Sequence, residues 1–299
     1  MDTWARTLRY AFRSLARTPA FTLTVVLTLA LGIGANSAVF SAIDAILVRP
    51  LPYVEPDRLV SVMETRPEAG DTVIAPVRLE DWNAGNSSFE AITGYFTEDV
   101  SETTGDTPSR VRWAGVAPKF LEVWRVAPLL GRDFVDADSA QRPTVVWISE
   151  RLWRNRFDAD PNILERTIRL GDPVGFPFQI VGVLPRSFEF PDRAVDVWFP
   201  NFTNFALARQ RGWLTYTGVA RLRPGVTLAE ARADMNVVQA RLAEQFPDDD
   251  RDRGVSLRPL KDVVVGEARA SLWLVFGAVS LLLLIACANI ASLLLARAA

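Results

Sequence analysis

The chain has 299 residues, 49% of them apolar, with 33 basic against 35 acidic side chains, one cysteine and no histidine. That near-neutral balance gives no sign of a nucleic-acid partner, which needs a basic face. The missing histidine removes the commonest general base and neutral metal ligand, and a lone cysteine leaves no disulfide within the chain.

Residues 1–18 carry Arg6, Arg9, Arg13 and Arg17 against Asp2, with Trp4, Leu8, Phe12 and Leu15 at three- and four-residue spacing. This pattern predicts an amphipathic helix on the cytoplasmic leaflet. No charge falls between Thr18 and Ile43, and Pro19 suits a first helical position, so a first transmembrane helix is expected over 19–46. A cleaved signal would stop sooner, whereas apolar residues continue here through Ile46 and Leu47. Ala30, Gly34, Ala38 and Ala42 recur every fourth residue, with Asn36, Ser37 and Ser41 nearby. In lipid a stripe of small residues lets another helix approach closely.

The long middle segment, 47–269, reads as one mixed α/β domain. Strands are expected at 58–65, 89–96, 110–116, 144–149, 167–170, 178–184, 195–198, 216–222 and 255–260, from alternation and short β-branched runs. Short helices are expected at 77–83, 118–124 and 150–157, and a turn at 130–134. The clearest element is a helix over 228–246, with Thr227 and Glu230 spaced as a capping box and Pro247 ending it. Strand, long helix, strand, after an earlier similar set, suggests two α/β halves around a shared sheet, with a strand-rich insertion between them. Asp248–Asp252 reads as a solvated acidic loop. Trp82, Trp113, Trp124, Trp147, Trp153 and Trp198 lie mostly within these elements and read as core.

Ser271–Ala299 closes the chain, with no charge between Arg269 and Arg297. A run of that length predicts a second transmembrane helix, placed at 270–297. Ala288, Ser292 and Ala296 repeat the small-residue stripe there, so seven residues become helix-packing candidates: Ala30, Gly34, Ala38, Ala42, Ala288, Ser292 and Ala296. The arginines before the first span and after the second put both termini in the cytoplasm and 47–269 outside.

No chemistry-bearing motif emerges. GxxxxGK[ST], HExxH and Cys–His clusters are absent from the sequence. The aspartate run lacks the glycine and terminal glutamate of a calcium loop. A serine nucleophile would depend on Lys119 or Lys261. No catalytic, cofactor or metal residues are assigned, and the chain is not expected to be an enzyme.

Six ordered stretches carry a resemblance: FTLTVVLTLALGIGANSAVFSAIDAILVRPLPY, VAPKFLEVWRVAPLLGRDF, VVWISERLWRNRFDADPNIL, FQIVGVLPRSFEFP, VARLRPGVTLAEARADM and LLLLIACANIASLLLARA. Together they resemble the ABC-transporter permeases of the MacB/FtsX type, above all the duplicated permeases of acidobacteria. The resemblance implies an α+β membrane protein of the bacterial inner membrane. Two transmembrane helices would flank a periplasmic core domain, itself a porter-like α/β part plus an inserted part. It further implies a non-enzymatic subunit that couples a separate cytoplasmic ABC ATPase to periplasmic motion, paired as a homo- or heterodimer with another permease half. The family continues where this chain stops, so 270–297 is expected to begin an FtsX-like permease domain. The alternative is a membrane-tethered periplasmic sensor or binding ectodomain without transport.

Overall fold

A computed structural model describes residues 19–105, 107–139, 144–171, 175–201 and 208–298. The amphipathic segment 1–18 lies outside these residues. Two units are distinguished, one formed by the chain's ends up to Pro50 and from Val264, the other by Leu51–Val263.

In the first unit, helix α1 spans Pro19–Ile43 and passes into one π turn, Asp44–Val48. Its hydroxyls stay within the helix: Thr24, Thr28 and Ser41 donate to the carbonyls of Ala20, Thr24 and Ser37. That is how polar side chains become tolerable where water is absent.

The second unit contains β1 (Leu59–Arg66), β2 (Gly70–Thr72), α2 (Pro76–Gly85), β3 (Phe89–Glu102), β4 (Ser109–Val116), α3 (Phe120–Trp124), β5 (Leu130–Gly131) and α4 (Asp136–Ser139). Then follow β6 (Val145–Ser149), α5 (Glu150–Phe157), β7 (Thr167–Leu170), β8 (Phe176–Leu184), β9 (Val195–Pro200), β10 (Thr217–Leu222), α6 (Leu228–Gln245), α7 (Pro247–Asp250) and β11 (Gly254–Pro259). The last helix, α8, runs Leu260–Ala298.

The strands make one sheet in the order β11-β1-β10-β3-β4-β9-β6-β8-β5, with β2 on β1 and β7 bridging β3 and β8. Its first four strands are antiparallel neighbours. They come from two β-α-β units, β1–α2–β3 and β10–α6–β11, interleaved so that the spatial order is fourth, first, third, second. This is the ferredoxin-like split β-α-β arrangement. The inserted part, β4 to β9, extends the same sheet and introduces parallel pairs, β4 with β9 and β6 with β8.

Three buried clusters follow this division. One, with Val62, Trp82, Ile92, Met235 and Leu242, lies between the four-stranded part and its helices α2 and α6. A second, with Val146, Ile148, Ile180 and Val183, fills the inserted part. The third joins them: Leu59, Val219 and Leu260 of the first part meet Phe120, Trp124, Phe188, Phe190 and Trp198. Trp82, Trp124, Trp147 and Trp198 are fully buried, as core tryptophans are, while Trp113 and Trp153 are half-buried. The capping box on α6 is present in full, Thr227 accepting from the Glu230 N–H and Glu230 from the Thr227 N–H.

Four expectations change. β3 continues six residues past Phe96, because its polar second half pairs with β4 over Thr97–Glu102 instead of ending with β10. The 130–134 turn contains the short strand β5, paired with Val183 and Gly182 of β8. α8 begins ten residues before the charge-free run, its first turns carrying the charged segment from Lys261 to Arg269. The acidic stretch is not a solvated loop throughout. Its first residues form α7, and Asp250 is fully buried between arginines.

Candidate functional site

The apolar helices and two charged clusters in the core are the features with functional content. Pro19–Val48 and Ala268–Ala296 are long and apolar enough to cross a membrane, and neither is buried within the chain.

These helices touch along a narrow seam. A Cβ added to Gly32 would meet Leu283 Cδ1 at 2.7 Å, so only glycine permits the contact without a shift. One turn on, Asn36 Nδ2 donates to Val279 O at 3.3 Å and to Gly32 O at 3.1 Å, and Asn36 Oδ1 accepts from Ser280 Oγ at 3.0 Å. One carboxamide thus ties two helices through both of its ends. In an apolar medium such bonds fix rotation and register more than they add stability.

The first charged cluster is centred on three fully buried side chains. Arg78 of α2 is fully buried and bonds Glu64 of β1 and Asp250 of α7, both also fully buried. Arg211 donates to Asp250 at 2.6 Å and forms an ion pair with Asp81 at 2.8 Å, and its guanidinium stacks 3.9 Å over the Phe246 ring. Arg253 and Arg66 complete the Glu64 pairing. Burial lowers the Arg211 pKa, but bonds to Asp250 and Asp81 outweigh it and the net shift is upward.

The second cluster collects residues just after the first apolar helix. Glu55 pairs with Arg58 at 2.6 Å and with Arg125, which follows α3. Arg125 also reaches Glu90 at 3.1 Å, and Arg58 bonds the same carboxylate. Burial pushes the Glu90 carboxyl up, yet the bonds from Arg58 and Arg125 prevail and hold it below the usual range. Arg221 of β10, fully buried, donates to Val123 O at 2.7 Å and Glu55 O at 3.4 Å. Desolvation, then the neighbouring Arg125 and Arg58, push its pKa down. Lys119 and Ser139 line one cavity, but among the described residues no hydrogen bond joins Lys119 to a serine. No group of three or more potential metal ligands occurs among the described residues.

The sequence profile of the MacB-like periplasmic core domain matches residues 22–238. The chain belongs to this family. The crystal structure of the periplasmic region of MacB from Actinobacillus actinomycetemcomitans superposes with a TM-score of 0.51 at 14% identity, over 75% of this chain and 98% of that one. A domain of a permease protein from Porphyromonas gingivalis gives 0.51 at 20% identity, over 69% and 91%. At these identities the likeness is one of fold. No curated protein matches the chain. The MacB-like family is one of ABC-transporter permeases, which are membrane proteins, generally not catalytic, that work with an ATPase. Two apolar helices flanking a MacB-like core fit an inner-membrane protein.

Within this MacB-like chain the packing residues expected from spacing fall mostly off the seam. Ala30, Gly34 and Ala38 are exposed, Ala42 is half-buried, and Ala288, Ser292 and Ala296 are exposed. A Cβ on Gly34 meets nothing within 4 Å. The contact uses the face two residues away, Gly32 and Asn36. Spacing alone could not choose between the two stripes. The polar Asn36, expected only to lie near a contact, is the better signal, since a carboxamide in a span needs a partner. The buried ion clusters carry no such signature in sequence.

Proposed function

We propose that the chain is an inner-membrane permease subunit of an ABC-type transporter or mechanotransmission complex, coupling a separate cytoplasmic ATPase to motion of its periplasmic core. The observation that carries this reading is the continuity of α8. The helix starts at Leu260, buried in the core's joining cluster, and runs without a proline to Ala298. Its first residue follows β11 directly, and β11 is bonded to β1 along six residue pairs. In this reading α8 is the covalent path by which a displacement of its apolar part would reach the sheet.

In this reading both termini are cytoplasmic, spans occupy 19–46 and 270–297, and 47–269 is the periplasmic core domain. The stripes Ala30/Gly34/Ala38 and Ala288/Ser292/Ala296 would receive helices from another permease half, in a homo- or heterodimer. The chain itself catalyses no reaction. Two measurements test the proposal. Single cysteines at Ser14, Glu68 and Ala299, in a Cys287→Ala background, are exposed to a membrane-impermeant thiol reagent on intact spheroplasts. Labelling at 68 alone is expected, and labelling at 14 or 299 refutes the orientation. Hydrogen exchange of β11 is then followed in membranes holding the chain with its cognate ATPase. A change between ATP and ADP is expected, and identical exchange removes the coupling.

A further inference from the structure

The residues between the first apolar helix and β1 are fastened to the core in an unusual way. Leu51 and Tyr53 pack on the joining cluster, Tyr53 lying 4.7 Å from the Trp124 ring. Beyond them Glu55 turns through φ 46°, a left-handed conformation that a residue with a Cβ rarely adopts. Its ion-pair partner Arg125, seventy positions away at the end of α3, has φ 54°. Among the described residues five non-glycine positions have positive φ, and these two are bonded to each other. Strained backbone persists only where neighbours hold it, and it concentrates in segments that switch.

The balance of forces is close. The Glu55 side chain is 47% exposed and that of Arg125 is 37% exposed. Pairs this wet are weak and are screened by salt. The left-handed conformations oppose them by a comparable amount at each residue. The Glu55–Arg125 pair is therefore near balance, unlike the buried Arg78 cluster of the same core and unlike the separate bonds from Arg58 to Glu90 and the Leu222 carbonyl. The site also sits at a joint. Glu55 precedes β1, Glu90 opens β3, and Arg125 ends the helix that leads into the inserted part.

We propose that the Glu55–Arg125 ion pair is a spring-loaded latch. Closed, it holds residues 51–57 against the joint between the two parts of the core. Open, both residues relax into ordinary backbone and residues 51–57 loosen, while Arg58 keeps its bonds to Glu90 and the Leu222 carbonyl and the β1–β10 ladder stays paired. The device belongs to the core itself and does not depend on which partner drives the chain.

The test is hydrogen exchange on the full chain in detergent, reading amides 51–57 against 60–62 of β1. Arg125→Gln removes the charge and keeps the strain, whereas Arg125→Gly removes both, because glycine accepts positive φ. Exchange of 51–57 is expected to rise by about twofold to fivefold in Arg125→Gln, less in Arg125→Gly, with 60–62 unchanged in both. Raising salt to molar strength is expected to speed 51–57 in the unaltered protein and to do little in either variant. Unchanged exchange in Arg125→Gln overturns the latch. Equal or faster exchange in Arg125→Gly overturns the spring. Loosening that spreads into 60–62 overturns the latch as well, in favour of a plain structural tie.

Discussion

Arg78 offers the sharpest test of what holds the core together. Its guanidinium bonds two carboxylates, on β1 and α7, and all three side chains are inaccessible to solvent. Arg78→Met keeps the bulk and helix propensity of the residue and deletes its charge. Removing one partner of a buried pair costs about 3–5 kcal/mol, because the remaining charge stays desolvated. Here the loss is partly shared. Asp250 keeps Arg211 at 2.6 Å and Glu64 keeps Arg253 and Arg66, so we place the cost near the lower end, about 3 kcal/mol. With a urea m-value of about 1–3 kcal/mol/M, the midpoint falls by about 1–3 M. The measurement is urea unfolding of the core unit, residues 51–263, followed by tryptophan fluorescence. A second variant, Arg78→Met with Asp250→Asn and Glu64→Gln, removes the stranded charges and is expected to recover part of the loss. A single-variant cost below about 1 kcal/mol, the size of a surface pair, would refute the view that this cluster is a sealed keystone.

Further outcomes follow from the same geometry. Gly32→Val drives a side chain into Leu283 and is expected to lower the melting temperature of the full chain in detergent, whereas Gly34→Val, facing open space, is not. Asn36→Leu removes three hydrogen bonds of which two cross the seam, at a cost of about 1–2 kcal/mol, read by the same melt. Thr227→Ala breaks the capping box of α6 and is expected to cost about 1 kcal/mol in urea unfolding of the core. For acid stability, burial raises Glu90 and Asp234, but bonds from Arg58 and Arg125, and from Ser87 and Ser88, leave both carboxyls depressed. A depressed carboxyl stabilises above its unfolded pKa and loses that contribution as pH falls through its folded value. The core is therefore expected to weaken below about pH 4. With no histidine, stability between pH 6 and 8 is expected to be flat. At the alkaline end burial, then the Asp192 charge, push the Tyr95 phenol up to about 12. That contribution is full below the unfolded value and is lost as pH climbs toward 12, which absorbance titration can follow.

Features whose causes are local are written in the order of the residues. A charge-free run is long enough for a bilayer whatever surrounds it, so both apolar helices are legible from composition and length alone. The capping box on α6, the proline-led α2 and most strand cores are legible for the same reason, since helical or two-residue periodicity records which face is buried. Long-range packing decides what depends on residues far apart in the chain. The interleaving of β11, β1, β10 and β3 joins segments more than 150 residues apart along the sequence, and alternation within a strand says nothing of its neighbour. The polar half of β3 is a strand because β4 satisfies its backbone. Asp250 reads as a solvated charge until Arg78 and Arg211, brought in from distant positions, neutralise it. The rotation of α1 about its axis is open in the sequence too, because Gly32 and Gly34 differ by two residues, about 200° around a helix. Only the Leu283 side chain and the carbonyl of Val279 choose between them.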